Sequence, residues 1–196
     1  MGKDRINLVT LQQGLNIPPI VILSACETHP LDGNHNTVAN AFLYGGAMTV
    51  VGTLTPVNAA KAALLIARLV FRLLEFVPLI QAPLCWSEVM GGMLRMSYAW
   101  DVLETLVRMH KVPYSIERLR PVQIAANTAI NTFRTDWFEI MLDQLAAETS
   151  IPLSTIEAAW REVAYFTESL QYIQLGNPEN IWIRPGEGKS GSSAGN

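Results

Sequence analysis

The chain has 196 residues, of which 49% are hydrophobic and 16% charged, so it suits one domain, or a large part of one, with ample material for a buried core. A net charge of −3 and a pI near 5.6, with no cluster of Lys and Arg, leave no footprint for nucleic acid and no basic segment for a membrane surface. Two cysteines, Cys26 and Cys85, do not make a disulfide framework, and no signal-like apolar run follows Met1 to Arg5, so the expected compartment is the reducing cytoplasm.

In chain order, residues 6–16 carry apolar positions compatible with a helix or a short strand, and Pro18-Pro19 stops any helix. Ile20-Val21-Ile22-Leu23 is a short β-branched run of the kind found in strands buried on both faces. It ends at Ser24-Ala25-Cys26, small residues that permit a sharp turn. A polar loop, Glu27 to Asn36, leads to a helix capped by Asn36 or Thr37 and closed by Gly45-Gly46. Thr49 to Leu54 reads as a second buried strand, Thr55 to Asn58 as a loop, and Ala59 to about Phe76 as a long helix. Arg68, Arg72, Glu75 and Pro78 in or beside that helix argue against a membrane span.

Strand, helix, strand, helix predicts an α/β fold with a mostly parallel sheet. Helical spacing recurs at residues 86–110, 135–148 and 154–170, the last opening on a capping-box pattern, Ser154 to Glu157. The 111–134 stretch, with Pro113 and Pro121, shows few clear periodicities. Tyr172 to Leu175 and Ile181 to Ile183 look like short strands flanking a Gly176-Asn177-Pro178 turn, and the Gly/Ser-rich stretch from Gly186 to Asn196 reads as disordered.

Cys26 carries the chemical argument. A thiol just past the carboxyl end of a buried strand sits where α/β sheets collect ligands, beside backbone N–H groups able to hold an oxyanion. The bland reading is a small packed residue. The wider context favours chemistry: Val21 to Thr28, with Ser24-Ala25-Cys26-Glu27-Thr28, resembles the Ser-Ala-Cys-Glu-Thr signature of the CHAT family, caspase-like cysteine peptidases related to separase. Val38 to Ala47 is similar to the family helix, Val50 to Asn58 to its next strand and Leu-Trp-Pro-Val-Asp loop, and Tyr172 to Ile183 to its closing strand.

The resemblance implies the C-terminal part of a caspase-like αβα sandwich over residues 1–184, with 185–196 as a tail. It implies Cys26 as nucleophile, working with a histidine and without a metal or other cofactor. Glu27, Thr55 and Asn58 become candidate substrate-binding residues. The implied partners are a protein or peptide substrate and the remainder of a parent protein or a regulatory module, with no nucleic acid and no membrane.

The chain departs from the family in three ways. No histidine precedes Cys26, where the family places its general base on an earlier strand end, so that base is expected upstream of this chain. Thr55 and Asn58 stand where the family commonly has Trp and Asp, and a neutral amide brings no charge for a basic substrate residue. His29, three residues after Cys26, reads as a substitute base or as a solvated loop residue; His35 and His110 read as solvated, and Cys85 as packing. A competing reading is therefore a CHAT-like domain that keeps the fold for protein interaction, and a third is a small-molecule-binding α/β domain, although no phosphate-binding Gly loop is present.

Overall fold

The computed structural model describes residues 16–23, 37–80 and 82–184. Its sheet begins with β1 (Ile20–Ile22), directly after Pro18-Pro19. Proline lacks the N–H that a helix needs, but its carbonyl still accepts: Pro19 O takes the N–H groups of Met48 and Thr49 at 2.9 and 3.0 Å. Helix α1 (Val38–Tyr44) then carries the chain back over the sheet to β2 (Thr49–Thr53). Of the two candidate caps, Thr37 is the one used; its Oγ1 accepts from Asn40 N–H at 3.1 Å. Gly45 ends the helix, and Gly46 turns the chain at φ +109.

β1 and β2 are parallel, Ile20 facing Thr49 and Ile22 facing Val51, as the strand–helix–strand order predicts. All five residues of β2 are buried. Helix α2 (Ala59–Phe71) follows, but its α geometry ends earlier than the expected Phe76: Arg72–Phe76 widen into a π-helical turn, and Val77–Leu79, with Pro78, tighten into a 3-10 turn. β3 (Leu84–Cys85) leads straight into the long helix α3 (Trp86–Arg108).

Three further helices follow: α4 (Arg120–Asn131), α5 (Trp137–Thr149) and α6 (Leu153–Val163). The periodicity at 154–170 is confirmed for its first half only, since two 3-10 turns, Ala164–Phe166 and Glu168–Gln171, take up the rest. The Ser154 capping box does not form. Helix α6 starts one residue sooner, behind Pro152, whose carbonyl accepts from Thr155 and Ile156 N–H. The N–H that is bonded by a neighbouring carboxylate at a helix start is instead that of Cys85, which donates to Glu88 Oε2 at 2.9 Å.

β4 (Tyr172–Gly176) returns to the sheet and pairs antiparallel with the free side of β2, from Thr49 facing Gly176 to Thr53 facing Tyr172. β5 (Trp182–Ile183) pairs antiparallel with β3. The larger sheet thus runs β1-β2-β4, with one parallel and one antiparallel pairing, so the expected mostly parallel sheet is not what the described strands form: the chain returns to β2 from the helices in the opposite direction. The class is α/β. The expected turn at Gly176-Asn177-Pro178 is present, but the strands it separates belong to two different sheets.

Two cores share α3. Its first half, including Trp86, Val89, Met90 and Met93, packs with Val51, Leu65 and Leu69 under the sheet. Its second half, including Val102, Leu103 and Leu106, packs with Val122, Ala126, Met141 and Leu145 of α4 and α5. No helix among the described residues is long and apolar enough to cross a membrane.

Gly176 is the tightest point of the sheet. Its φ is +90, and a Cβ there would lie 2.3 Å from Met48 O, the oxygen that accepts Asn177 N–H at 2.9 Å. Gly176→Ala is expected to cost roughly 2 kcal/mol or more in urea unfolding, from left-handed strain plus a backbone clash. A loss under about 0.5 kcal/mol would show that this junction relaxes freely.

Candidate functional site

Parallel pairing brings the carboxyl ends of β1 and β2 to one edge of the sheet. Leu23 N–H still donates to Val51 O at 2.9 Å, so the chain leaves β1 at that edge and runs toward Cys26 three residues later. Cys26, Glu27, His29 and His35 lie outside the described residues. The other two candidates, Thr55 and Asn58, are described, and both occupy the loop between β2 and α2 at the same edge.

That loop is held from one side by the turn before β4. Leu54 N–H donates to Gln171 O at 2.8 Å, and Thr55 Oγ1 donates to Gln171 Oε1 at 2.8 Å. Asn58 N–H donates to Glu168 Oε2 at 2.8 Å. Asn58 also caps α2: its Oδ1 accepts from Ala60 and Lys61 N–H at 2.9 and 3.3 Å. The Asn58 carbonyl oxygen of the side chain is therefore already in use, and the exposed face of this loop is Pro56 and the rest of Asn58.

Behind the loop stands a charge cluster that sequence reasoning missed. Lys61 Nζ lies 3.4 Å from Asp101, 3.2 Å from Glu104 and 3.8 Å from Glu168. Asp101 is buried on α3, and its Oδ2 also accepts Ser169 N–H at 2.9 Å. Burial by itself would lower the Lys61 pKa, but the charges of Asp101, Glu104 and Glu168 and the hydrogen bond to Glu104 outweigh it and hold it above the ordinary 10.5. The available signal was the pair Asp101 and Glu104, two acids one turn apart on an otherwise mostly apolar stretch of a long helix.

His110 and Cys85 serve structure. His110 sits in the left-handed conformation just past α3, with its N–H on Val107 O and that of Lys111 on Leu106 O, which closes the helix as a Schellman turn. Cys85 is buried, with Sγ 2.9 Å from Ser87 Oγ. Among the described residues, no group of three or more His, Cys, Asp and Glu side chains could hold a metal ion.

The described loop from β2 to α2 lies at the carboxyl edge of the β1–β2 pair, the end of an α/β sheet at which ligand sites collect. The family model described as CHAT domain matches residues 2–82, the stretch from before β1 through α2 and its π turn. That family is caspase-like and related to peptidases. The match stops short of α3, and the 172–183 stretch, whose sequence resembles the closing strand, lies beyond it. No curated protein and no solved structure matches the chain.

Two outcomes follow from the loop. Asn58→Ala removes the cap of α2 and is expected to lower stability by about 1 kcal/mol in urea unfolding. For Lys61 the folded pKa is raised, so its contribution is complete below pH 10.5 and is lost as pH rises beyond it. Stability of the wild type should therefore fall more steeply above pH 10.5 than that of Lys61→Met; parallel curves would remove the cluster from the account.

Proposed function

We propose that this chain is the C-terminal part of a caspase-like αβα sandwich and acts as a cysteine peptidase through Cys26. The observation that carries this reading is a conjunction: the CHAT family match includes Ser24-Ala25-Cys26, and those residues directly follow a strand paired parallel to β2. In this reading the Cys26 thiolate attacks a peptide carbonyl, and backbone N–H groups stabilise the tetrahedral oxyanion. Collapse of that intermediate breaks the C–N bond, a histidine gives its proton to the leaving amine, and water then releases the acyl group from sulfur. The resemblance puts that histidine on an earlier strand, upstream of Cys26; His29 is the nearest imidazole in this sequence.

The loop residues bear on specificity. Asn58 is neutral and its Oδ1 is used for capping, while Thr55 Oγ1 is used on Gln171. The loop thus offers no formal charge of its own to a substrate Arg or Lys, and the substrate class proposed is a peptide without a required basic residue. Glu27, adjacent to the nucleophile, is the remaining candidate for binding a basic group. The reducing cytoplasm is the compartment proposed, with a regulatory module or the rest of a parent protein as partner.

The same three hydrogen bonds favour a second reading, a CHAT-like domain kept for protein interaction. Thr55 Oγ1 and Asn58 Oδ1 are both used within the fold, which a binding scaffold tolerates and which leaves a substrate-reading loop fewer free polar atoms. An electrophilic peptide probe separates the two. It would be applied to the chain, to Cys26→Ala, and to both with any residues encoded before Met1 restored. Labelling that disappears in Cys26→Ala is the expected result. Absence of Cys26-dependent labelling in every form would overturn the peptidase reading in favour of the interaction module.

A further inference from the structure

At the far end of α2 from Asn58, roughly 20 Å along the helix axis, lies a groove of about 480 Å³ between α2, α3 and α4. That volume is within the range of small-molecule sites. Its wall is apolar, formed by Phe71 and Phe76 on one side and Met93 and Met96 on the other. Its floor is polar, formed by Gln123, Asn127 and Asn131 of α4, and no Asp or Glu lines it among the described residues.

Arg72 stands in this groove with only 6% of its surface exposed. Its partners are all neutral: Nη1 donates to Asn131 Oδ1 at 2.8 Å and to Met96 Sδ at 3.3 Å, and the guanidinium lies 4.2 Å from the Phe76 ring centroid. No carboxylate lies within ion-pair distance of it among the described residues, and its Nε has no hydrogen-bond partner there. Burial pulls its pKa below the ordinary arginine value. A buried cation without a counter-charge is costly to keep.

The surrounding backbone is shaped to keep it. The π-helical turn Arg72–Phe76 begins at this residue and brings the Phe76 ring to its guanidinium. Gly92 faces it from α3, where any Cβ would lie 2.8 Å from Nη2. Asn127 Oδ1, lining the same groove, is likewise buried and unpartnered among the described residues. Arg68, one turn earlier, also lines the groove, but its charge is shared with Asp101 and Glu104.

We propose that this groove binds a small amphipathic carboxylate, its apolar body against Phe71, Phe76 and Met93 and its anionic head paired with Arg72. The site lies at the opposite end of α2 from the loop of the proposed peptidase site and does not depend on that reading. The carboxylate supplies the missing counter-charge in a partly desolvated setting, where a charge-assisted pair is strong, and the apolar wall selects against a bare anion.

The test is calorimetric titration of the chain with octanoate, octanol and inorganic phosphate, repeated on Arg72→Met and Ala67→Trp. Arg72→Met removes the charge while keeping an unbranched side chain, and its folding is checked by circular dichroism. Ala67→Trp fills the groove from an exposed position and leaves Arg72 untouched. Saturable octanoate binding is expected, weakened about tenfold or more in both variants, with octanol about tenfold weaker than octanoate on the wild type. Equal binding of octanoate and octanol, or binding unchanged in Arg72→Met, would reduce the groove to an apolar cleft. Phosphate binding as tightly as octanoate would make it a plain anion site, and no octanoate binding at all would end the proposal.

Discussion

The constraint on which the described structure depends is the complete burial of β2. A strand hidden on both faces and both edges must have its backbone bonded on each side, because no water reaches it. β1 serves one edge in parallel and β4 the other in antiparallel register. The hydroxyl of its first residue is used as well: buried Thr49 donates through Oγ1 to Leu175 O at 2.8 Å. Register is then fixed, since a slip of one residue would exchange the two faces. The point at which the chain leaves β1 toward Cys26, and the point at which it leaves β2 toward Thr55, are set by the same pairing.

The helical part of the chain is tied to that edge and is more than an appendage. Helix α3 belongs to both hydrophobic cores, so the sheet and the bundle of α4 to α6 share one rigid element. Asp101 on α3 accepts from Ser169 N–H and from Lys61, and Glu168 beside Ser169 accepts from Asn58 N–H. The chain of contacts runs from the bundle, through one buried carboxylate, to the loop at the sheet edge. The turn that precedes β4 is therefore both the route back into the sheet and the clamp on the Thr55–Asn58 loop.

Much of the sheet side was legible in the sequence because its signals are local. Apolar β-branched runs gave β1 and β2, Asn36 or Thr37 and Gly45-Gly46 bounded α1, and the Tyr172 and Trp182 stretches gave β4 and β5. What failed was of another kind. The 111–134 stretch showed few clear periodicities, yet a proline in the first turn of a helix loses no intrahelical bond, and α4 begins at Arg120 with Pro121 in that turn. Ser154 looked like a cap, but Pro152 with its extended backbone had already started the helix. The π turn at Arg72 has no sequence signal of its own; tertiary contacts with Met96 and Asn131 accompany it. The candidate site was legible only in part: Thr55 and Asn58 were found as positions, while their partners Gln171 and Glu168 lie more than a hundred residues away and no local pattern joins them.

The identity of residue 58 can now be separated into architecture and charge. A helix N-cap accepts Asn and Asp about equally, so capping α2 does not decide between them. The surroundings do bear on the choice. Asp101, Glu104 and Glu168 already share the ammonium of Lys61, and the Glu168 carboxylate sits on the backbone N–H of residue 58 itself. A further carboxylate at this point would face a like charge at close range, whereas an amide makes the same cap at no such cost. The neutral residue is thus consistent with the fold's own electrostatics, and its difference from the aspartate that the family resemblance leads one to expect is a difference in the charge presented at the sheet edge, not in how the helix is built.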